Sequence, residues 1–258
     1  MSDGQSRLTV GLDGQHALVS GGGGGIGRAC ALALARSGAA VTVLDLAPNA
    51  GEETAMLIAR AGGDAVALQA DIRDEQQVRA AFRAAHERRP LSICVNAAGI
   101  NRTGPAEAQP PAEFRLVMDI NVVGTYLCCQ AFAAGVLRSG GSGSIVNVSS
   151  QMGAVGYPGR SAYCCSKHAV NGLTKALGVE WAERGIRVNA VAPTFIETPL
   201  TRPMFEDGAF LEDVLRRIPM RRIGTVDEVA DAVLYLASPA AGLVTGAILS
   251  VDGGWTAW

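Results

Sequence analysis

Short apolar runs alternate with longer amphipathic ones along the whole chain. His16-Ala17-Leu18-Val19-Ser20 is a compact strand-like run that enters a cluster of glycines, and helix-like sequence follows over 26–37. A β-branched run at 41–45 comes next. The alternation then repeats, with a helix near 50–61, a strand near 65–69, a helix near 75–86 and a strand at 93–96. Beyond a loop, a long helical stretch over 113–137 precedes a strand at 144–148, and a second long helix near 162–184 leads to a strand at 187–191. A helix at 226–236 and a strand at 247–251 complete the order. Strands that are almost wholly apolar, separated by single helices, predict an α/β fold: a doubly wound parallel sheet with helices on both faces. No linker or composition break divides the chain, so residues 1–258 read as a single domain.

The stretch 113–137 has little polar face: Phe114, Leu116, Val117, Met118, Ile120, Val122, Val123, Tyr126, Leu127, Phe132 and Val136 point in all directions. A helix apolar all round needs cover on more than one side. That predicts a subunit interface, and the expected assembly is a homotetramer with two-fold axes. One interface would use 113–137 and 162–184, and the other 226–236 with the last strand, where Trp255 and Trp258 seek burial.

Composition narrows the function. Lys+Arg 22 against Asp+Glu 24 gives a formal net charge of -2, without the basic surplus of a nucleic-acid binder. No run is apolar enough, uninterrupted by charge or glycine, to predict a membrane span, and the polar first residues do not read as a signal peptide. Cys30, Cys94, Cys128, Cys129, Cys164 and Cys165 include two adjacent pairs and no C-x-x-C, so buried free thiols and a cytoplasmic location are expected, with no metal site. His16, His86 and His168 are isolated from any ligand cluster.

The glycine cluster carries chemistry. Ser20-Gly21-Gly22-Gly23-Gly24-Gly25-Ile26-Gly27 lies between the first strand and the first helix. Glycines there permit a tight turn and let a pyrophosphate approach the backbone, while the helix N-terminus offers free N–H groups and partial positive charge. The fingerprint also requires an acidic residue about 20 positions on, at the end of the second strand. Asp45 supplies it. A Walker-type loop is excluded, because no Gly-Lys-Ser/Thr follows.

A second constellation is Tyr163-Cys164-Cys165-Ser166-Lys167, near the start of a helix. Residues four apart share one helix face, so phenol and ammonium approach one ligand, and the cation is expected to lower the tyrosine pKa from about 10. Such a tyrosine exchanges protons with a hydroxyl or carbonyl. Ser149-Ser150 ends the strand at 144–148, where ligands of parallel sheets bind.

Together these residues resemble the short-chain dehydrogenase/reductase family, whose loop reads Thr-Gly-x-x-x-Gly-Ile-Gly, here with Ser20 first. The resemblance implies a Rossmann-type fold, a nicotinamide cofactor and hydride transfer at a carbon bearing oxygen. It selects Ser150, 13 residues before Tyr163, and adds Asn121, giving a Ser150-Tyr163-Lys167-Asn121 tetrad with Asn121 supporting a water relay. It implies cofactor contacts at Gly21, Gly25, Ile26, Gly27, Asp45, Asp71, Ile72, Asn96, Ala97, Gly99, Tyr163, Lys167, Pro193, Ile196 and Thr198. Asn96-Ala97-Ala98-Gly99 departs from the family's Asn-Asn-Ala-Gly, and Pro193-Thr194 departs from its Pro-Gly. The cofactor is expected to be NAD, because Asp45 would repel a 2′-phosphate. Gly24 stands where phosphate-selective relatives carry a base, and Arg28 should lie on the helix rather than at the ribose.

The expected partner is a small-molecule alcohol or ketone. Residues 199–219 mix apolar and charged positions irregularly, and the resemblance makes them a mobile substrate lid. The pocket expected around it is Asn101, Gln151, Met152, Tyr157, Phe195, Glu197 and Met204. Its polar members fit several hydroxyls, and the chain resembles sugar-alcohol dehydrogenases. Reduction of simple or cyclic ketones, reduction of 3-oxoacyl thioesters, and an inactive dinucleotide-binding scaffold are the alternatives at this point.

Overall fold

A computed structural model describes residues 10–198 and 201–257. Seven strands form one parallel sheet: β1 (His16–Ser20), β2 (Ala40–Asp45), β3 (Ala65–Gln69), β4 (Ile93–Asn96), β5 (Gly143–Val148), β6 (Ile186–Pro193) and β7 (Ile248–Val251). Their order is β3-β2-β1-β4-β5-β6-β7. The direction of progression reverses between β1 and β4, where a doubly wound sheet opens a crevice at its carboxyl edge. The chain is thus a single α/β sheet with helices on both faces, as the alternation predicts.

Six of the helices follow the expected periodicity: α1 (Gly25–Arg36), α2 (Pro48–Arg60), α3 (Glu75–Arg88), α5 (Thr125–Arg138), α6 (Ser161–Trp181) and α8 (Val226–Ala237), numbered with α4 (Pro111–Met118) and α7 (Gly208–Arg217) in chain order. Leu34, Ile58, Val229, Val233 and Leu234 cover one sheet face over Val19, Val41 and Val43. Phe82, Phe132, Val136, Leu177 and Trp181 cover the other over Leu18, Cys94 and Ile145. A third, aromatic-rich cluster lies beyond the carboxyl edge, around Met152, Phe195, Val214, Ile218 and Trp255.

Three expectations are corrected. The long helix starts at Pro111 and is interrupted by a π-helical turn, Asp119–Gly124, between α4 and α5. The wide turn lets Gly124 close on Ile72, where an added Cβ would sit 2.6 Å from Ile72 Cδ1, and Thr125 Oγ1 donates to the Asn121 carbonyl at 2.8 Å. The stretch Pro111–Arg138 is, moreover, long and apolar enough to cross a membrane, but half of it is buried in the fold, so core packing accounts for much of its composition. The region at 199–219 is not irregular where described. Residues 201–219 hold a 3₁₀ turn, Arg202–Glu206, and α7, whose N-cap Asp207 accepts from the Ala209 and Phe210 amides at 3.0 and 3.2 Å. Pro199 and Leu200 lie outside the described residues.

Trp255 does not wait for a partner subunit. It is buried within the chain, its ring 5.7 Å from Phe195 and 6.1 Å from Tyr157, because Asp252 folds the last turn back by accepting from the Gly254 and Thr256 amides, both at 2.9 Å. Trp258 lies outside the described residues. The thiols divide: Cys30, Cys94, Cys128 and Cys129 are buried, but Cys164 is half-buried and Cys165 exposed.

Candidate active site

The glycine loop closes over the carboxyl ends of β1 and β4. Gly21 has φ +67°, and a Cβ there would come within 2.6 Å of the Ala98 backbone. A Cβ at Gly27 would sit 2.1 Å from the Gly21 carbonyl oxygen, so only glycine lets α1 start this close to the turn. No side chain caps α1, leaving its first-turn amides for an anionic ligand. Asp45 ends β2 directly below: its Oδ2 accepts from Gly23 N–H at 2.9 Å and its Oδ1 from Ala47 N–H at 3.0 Å. A carboxylate so held keeps further acceptor capacity for hydroxyls. Thr198 approaches the loop from the other side, 3.6 Å from where a Gly25 Cβ would stand.

Across the crevice, β5 and α6 bring Ser150, Tyr163 and Lys167 together. Ser150 follows the end of β5, where its Oγ accepts from the Met152 amide at 3.1 Å and faces Tyr163. Lys167 is buried, donates to the Val148 carbonyl at 2.8 Å, and holds its ammonium 5.5 Å from the Tyr163 ring centre. Asn121 projects from the π turn. Its Nδ2 donates to the Ile100 carbonyl at 2.9 Å and to Ser166 Oγ at 3.0 Å, while Oδ1 accepts from Ile100 N–H at 2.8 Å. Gly99 sits where these groups converge: a Cβ there would lie 3.2 Å from Asn121 Oδ1 and 3.7 Å from Lys167 Nζ.

The electrostatics differ from the sequence expectation. Burial raises the Tyr163 phenol, and the groups that pull it back are the Ser150 hydroxyl and the charge of Arg160, not Lys167. Desolvation brings Lys167 itself down to about 8. Without solvent or a carboxylate, an ammonium loses the stabilisation that would hold it near the usual lysine value.

The family model described as Enoyl-(Acyl carrier protein) reductase matches residues 21–256. The chain belongs to the short-chain dehydrogenase/reductase family. It is 43% identical over 252 residues to galactitol 2-dehydrogenase of Rhizobium johnstonii, covering 96% of this chain and 97% of that one. It is 41% identical to D-threitol dehydrogenase of Mycolicibacterium smegmatis, over 95% of this chain and 94% of the relative. A solved structure of gluconate 5-dehydrogenase from Burkholderia cenocepacia, in complex with NADP and tartrate, superposes with TM-score 0.92 at 36% identity, covering 96% and 97% of the two chains. This dehydrogenase is accordingly an oxidoreductase that uses a nicotinamide dinucleotide and acts on secondary alcohols.

The crevice fits such a cofactor on its own evidence: the loop admits no Cβ at Gly21 or Gly27, α1 is uncapped, and the buried Thr194 hydroxyl has no partner. Several expected cofactor contacts are nevertheless engaged elsewhere in this short-chain dehydrogenase. The Asn96 side chain turns into the core, where Nδ2 donates to Asn147 Oδ1 at 2.9 Å. Asp71 is chelated by Arg73 through Nε at 2.9 and 3.0 Å and through Nη2. The side chains of Ile72 and Ile196 pack in the two main cores, Ala97 continues the β1 edge by donating to the Ser20 carbonyl at 3.1 Å, and Pro193 is buried with its carbonyl 3.5 Å from Ser150 Oγ.

The residues expected on the substrate side fall in different surroundings. Gln151 is buried with neither amide atom partnered, and Asn101 Oδ1 is likewise buried and unpartnered. Met152, Phe195 and Tyr157 join the aromatic cluster beside Tyr163. Glu197 does not join them. It is exposed and pairs with Arg202 at 3.3 Å, because the chain turns outward after Ile196. Val214 and Ile218, with Phe205 and Phe210 packed against them, and not Met204, carry the described part of the 199–219 segment onto the cluster. Sequence reasoning also missed Arg160, which is 6% exposed. Its position before α6 reads as a surface loop, and nothing in the local pattern signals burial.

Lys167→Met gives a test of the buried ammonium. The folded pKa is depressed, so folding carries the full desolvation penalty below about 8, and the penalty shrinks as pH rises from there toward the unfolded value of 10.5. The variant is expected to melt above the wild type at pH 7, with the advantage narrowing by about pH 10, in calorimetric scans. An advantage that grows with pH would contradict the assignment.

Proposed function

We propose that this dehydrogenase oxidises a secondary hydroxyl of a polyol or sugar, and reduces the corresponding ketone, with NAD as cofactor. The observation that carries the substrate class is the buried Gln151 amide next to Ser150, with neither atom partnered, together with the buried, unpartnered Asn101 Oδ1. A buried amide without a partner is costly, by about 1–3 kcal/mol for each unsatisfied group, and hydroxyl-bearing substrates remove that penalty. A simple cyclic ketone would leave most of it in place. The identity to galactitol and threitol dehydrogenases supports the same reading.

Hydride transfer is the chemistry a nicotinamide supplies when bound. Among the chain's own residues, Tyr163 takes the proton from the substrate hydroxyl as a phenolate in oxidation and gives it back as a neutral phenol in reduction. Ser150, whose Oγ faces Tyr163, donates to the substrate oxygen and stabilises charge developing there. Lys167, fixed by the Val148 carbonyl, holds positive charge 5.5 Å from the phenol ring centre, and the family resemblance assigns it the nicotinamide ribose. Asn121 sets the Ile100 loop and Ser166 in place, so its side chain acts as a brace in addition to the relay role the family resemblance assigns it. A phenol raised by burial is neutral at about pH 7, the form that donates a proton to a ketone.

NAD is supported by charge. A 2′-phosphate about 4 Å from Asp45 would be repelled by about 4 kcal/mol at an effective dielectric of about 20, before salt screening. Half of that still exceeds a tenfold preference, about 1.4 kcal/mol. The nearby base offers no compensation: Arg28 donates to the Gly23 carbonyl at 2.6 and 3.1 Å and to Thr54 at 3.0 Å, and pairs with Glu53 at 2.8 Å. The Burkholderia relative contains NADP, which makes the cofactor comparison a necessary measurement.

A homotetramer is part of the proposal. Phe114, Val123 and Tyr126 on the α4–α5 stretch and Val179 on α6 remain exposed, Val179 by 80%, on the two helices expected to form one interface. Apolar side chains left exposed on these helices support association there.

Three measurements test these statements. Galactitol, threitol and related polyols should drive cofactor reduction, and Tyr163→Phe should lower kcat by roughly 10²–10⁴-fold while cofactor still binds; near-wild-type turnover by that variant would remove Tyr163 from the mechanism. The kcat/KM with NAD should exceed that with NADP by more than about tenfold, and Asp45→Ala should erode the difference; equal use of both by the unmodified protein would overturn the role of Asp45. Light scattering at micromolar concentration should return four chains, and a one-chain mass would refute the assembly.

A further inference from the structure

Arg160 is a charge that the reaction described so far does not use. It is 6% exposed, and among the described residues its guanidinium has neither an ion-pair nor a hydrogen-bonded partner. The other inward-turned arginine shows what satisfaction looks like here. Arg187 donates to the carbonyls of Leu236, Val244, Ala237 and Ser238 at distances from 2.9 to 3.5 Å. The ion-paired arginines sit nearer the surface with carboxylates. Arg160 instead has its guanidinium carbon 5.6 Å from the ring centres of both Tyr157 and Phe195. Those contacts engage the rings and leave the N–H donors, which lie in the guanidinium plane, without an acceptor among the described residues. Asp213, the carboxylate whose charge acts on Tyr157, is already held by Arg216 and Arg217, each at 2.8 Å.

Its place in the fold ties Arg160 to the reaction site. It is the N-cap of α6, its carbonyl accepts from Cys164 N–H at 2.8 Å, and Tyr163 follows one turn later, close enough to feel its charge. Phe195 and Tyr157 belong to the same aromatic cluster as Tyr163 and Met152. A buried cation without a counter-charge is among the more costly features a fold can keep, and burial does depress this guanidinium. The missing counter-charge is then brought by what binds there.

Building on the polyol reading, we infer that Arg160 is a substrate-binding residue that receives a carboxylate, so that the preferred substrate is a polyhydroxy acid rather than a neutral polyol. The planar fork beside the two rings matches a planar carboxylate, which makes two parallel hydrogen bonds in the guanidinium plane. Gln151 and Asn101 then serve the hydroxyls of the same molecule, and Tyr163 the one that reacts.

The test compares matched pairs, an aldonate and the alditol of equal carbon number, in the wild type, Arg160→Lys and Arg160→Gln. The wild type is expected to favour the acid in kcat/KM. In Arg160→Gln the acid-to-alditol ratio should fall roughly ten- to hundredfold, mainly through KM, as for loss of a charged hydrogen bond, and Arg160→Lys should restore part of it. A purely structural arginine would lower both substrates together and leave the ratio unmoved, which would overturn the inference. Preference of the wild type for alditols, or for sugar phosphates over acids, would overturn it as well while leaving polyol oxidation standing. Turnover of neither alditols nor acids would instead overturn the polyol reading beneath it. Should the glutamine variant fail to fold, succinate inhibition of alditol oxidation by the wild type decides: competitive inhibition supports the site, and inhibition no stronger than by 1,4-butanediol rejects it.

Discussion

The hydrogen bond from the Lys167 ammonium to the carbonyl of Val148 holds the reaction centre together. It fastens the first half of α6 to the end of β5, next to Ser150 and Tyr163, the residues that the proposed function assigns to the substrate oxygen. Because the ammonium is buried with a neutral carbonyl rather than a carboxylate, it stays close to losing its proton, and its charge is available to whatever enters the crevice. A carboxylate in place of that carbonyl would hold the proton more firmly and neutralise the site.

Around this bond lies a polar scaffold that is costly in a core and tolerable only because it is closed. Asn96 on β4 donates to Asn147 on β5, Asn147 donates to Thr174 on α6 at 3.0 Å, and Thr174 donates to the Val170 carbonyl at 2.8 Å. Ser149 and Asn171 add a second link at 2.6 Å, packed so tightly that a Cβ on Gly153 would meet both side chains within 2.9 Å. These bonds set the distance between strand ends and helix more narrowly than apolar packing alone would, and they hold the Asn96 side chain against β5. Among the described residues the buried side-chain atoms without a partner belong to Asn101, Gln151 and Thr194, and Gln151 directly follows Ser150. Saturation within the scaffold and unmet hydrogen-bonding capacity at these residues mark a surface prepared for a polar ligand.

Much of the architecture was legible from one-dimensional pattern. Short apolar runs separated by single helices identify a parallel sheet, and the glycine run followed by Asp45 identifies its crevice edge. The Tyr163–Lys167 spacing needs only helical geometry to become a shared face. Less legible was everything that depends on a neighbour remote in sequence. The π turn at Asp119–Gly124 is invisible to periodicity because it inserts a single wide turn into an otherwise continuous apolar helix. Helix α7 was hidden by a short, mixed sequence whose cap, Asp207, is one acidic residue among several.

By itself, then, the sequence determined the order of elements, the glycine turn, the acid at the end of β2 and the pairing of phenol with ammonium, since each follows from backbone geometry within a few residues. The tertiary structure decided which polar side chains face the substrate. Asn96 went to the core and Asp71 to Arg73, while Glu197 went to solvent and Trp255 to the chain's own aromatic cluster. Arg160, which local pattern places on the surface, was enclosed by Tyr157 and Phe195, and Phe195 comes from beyond a strand end 35 positions away. Burial and hydrogen-bond satisfaction are properties of what surrounds an atom, and those surroundings are assembled only when distant segments pack.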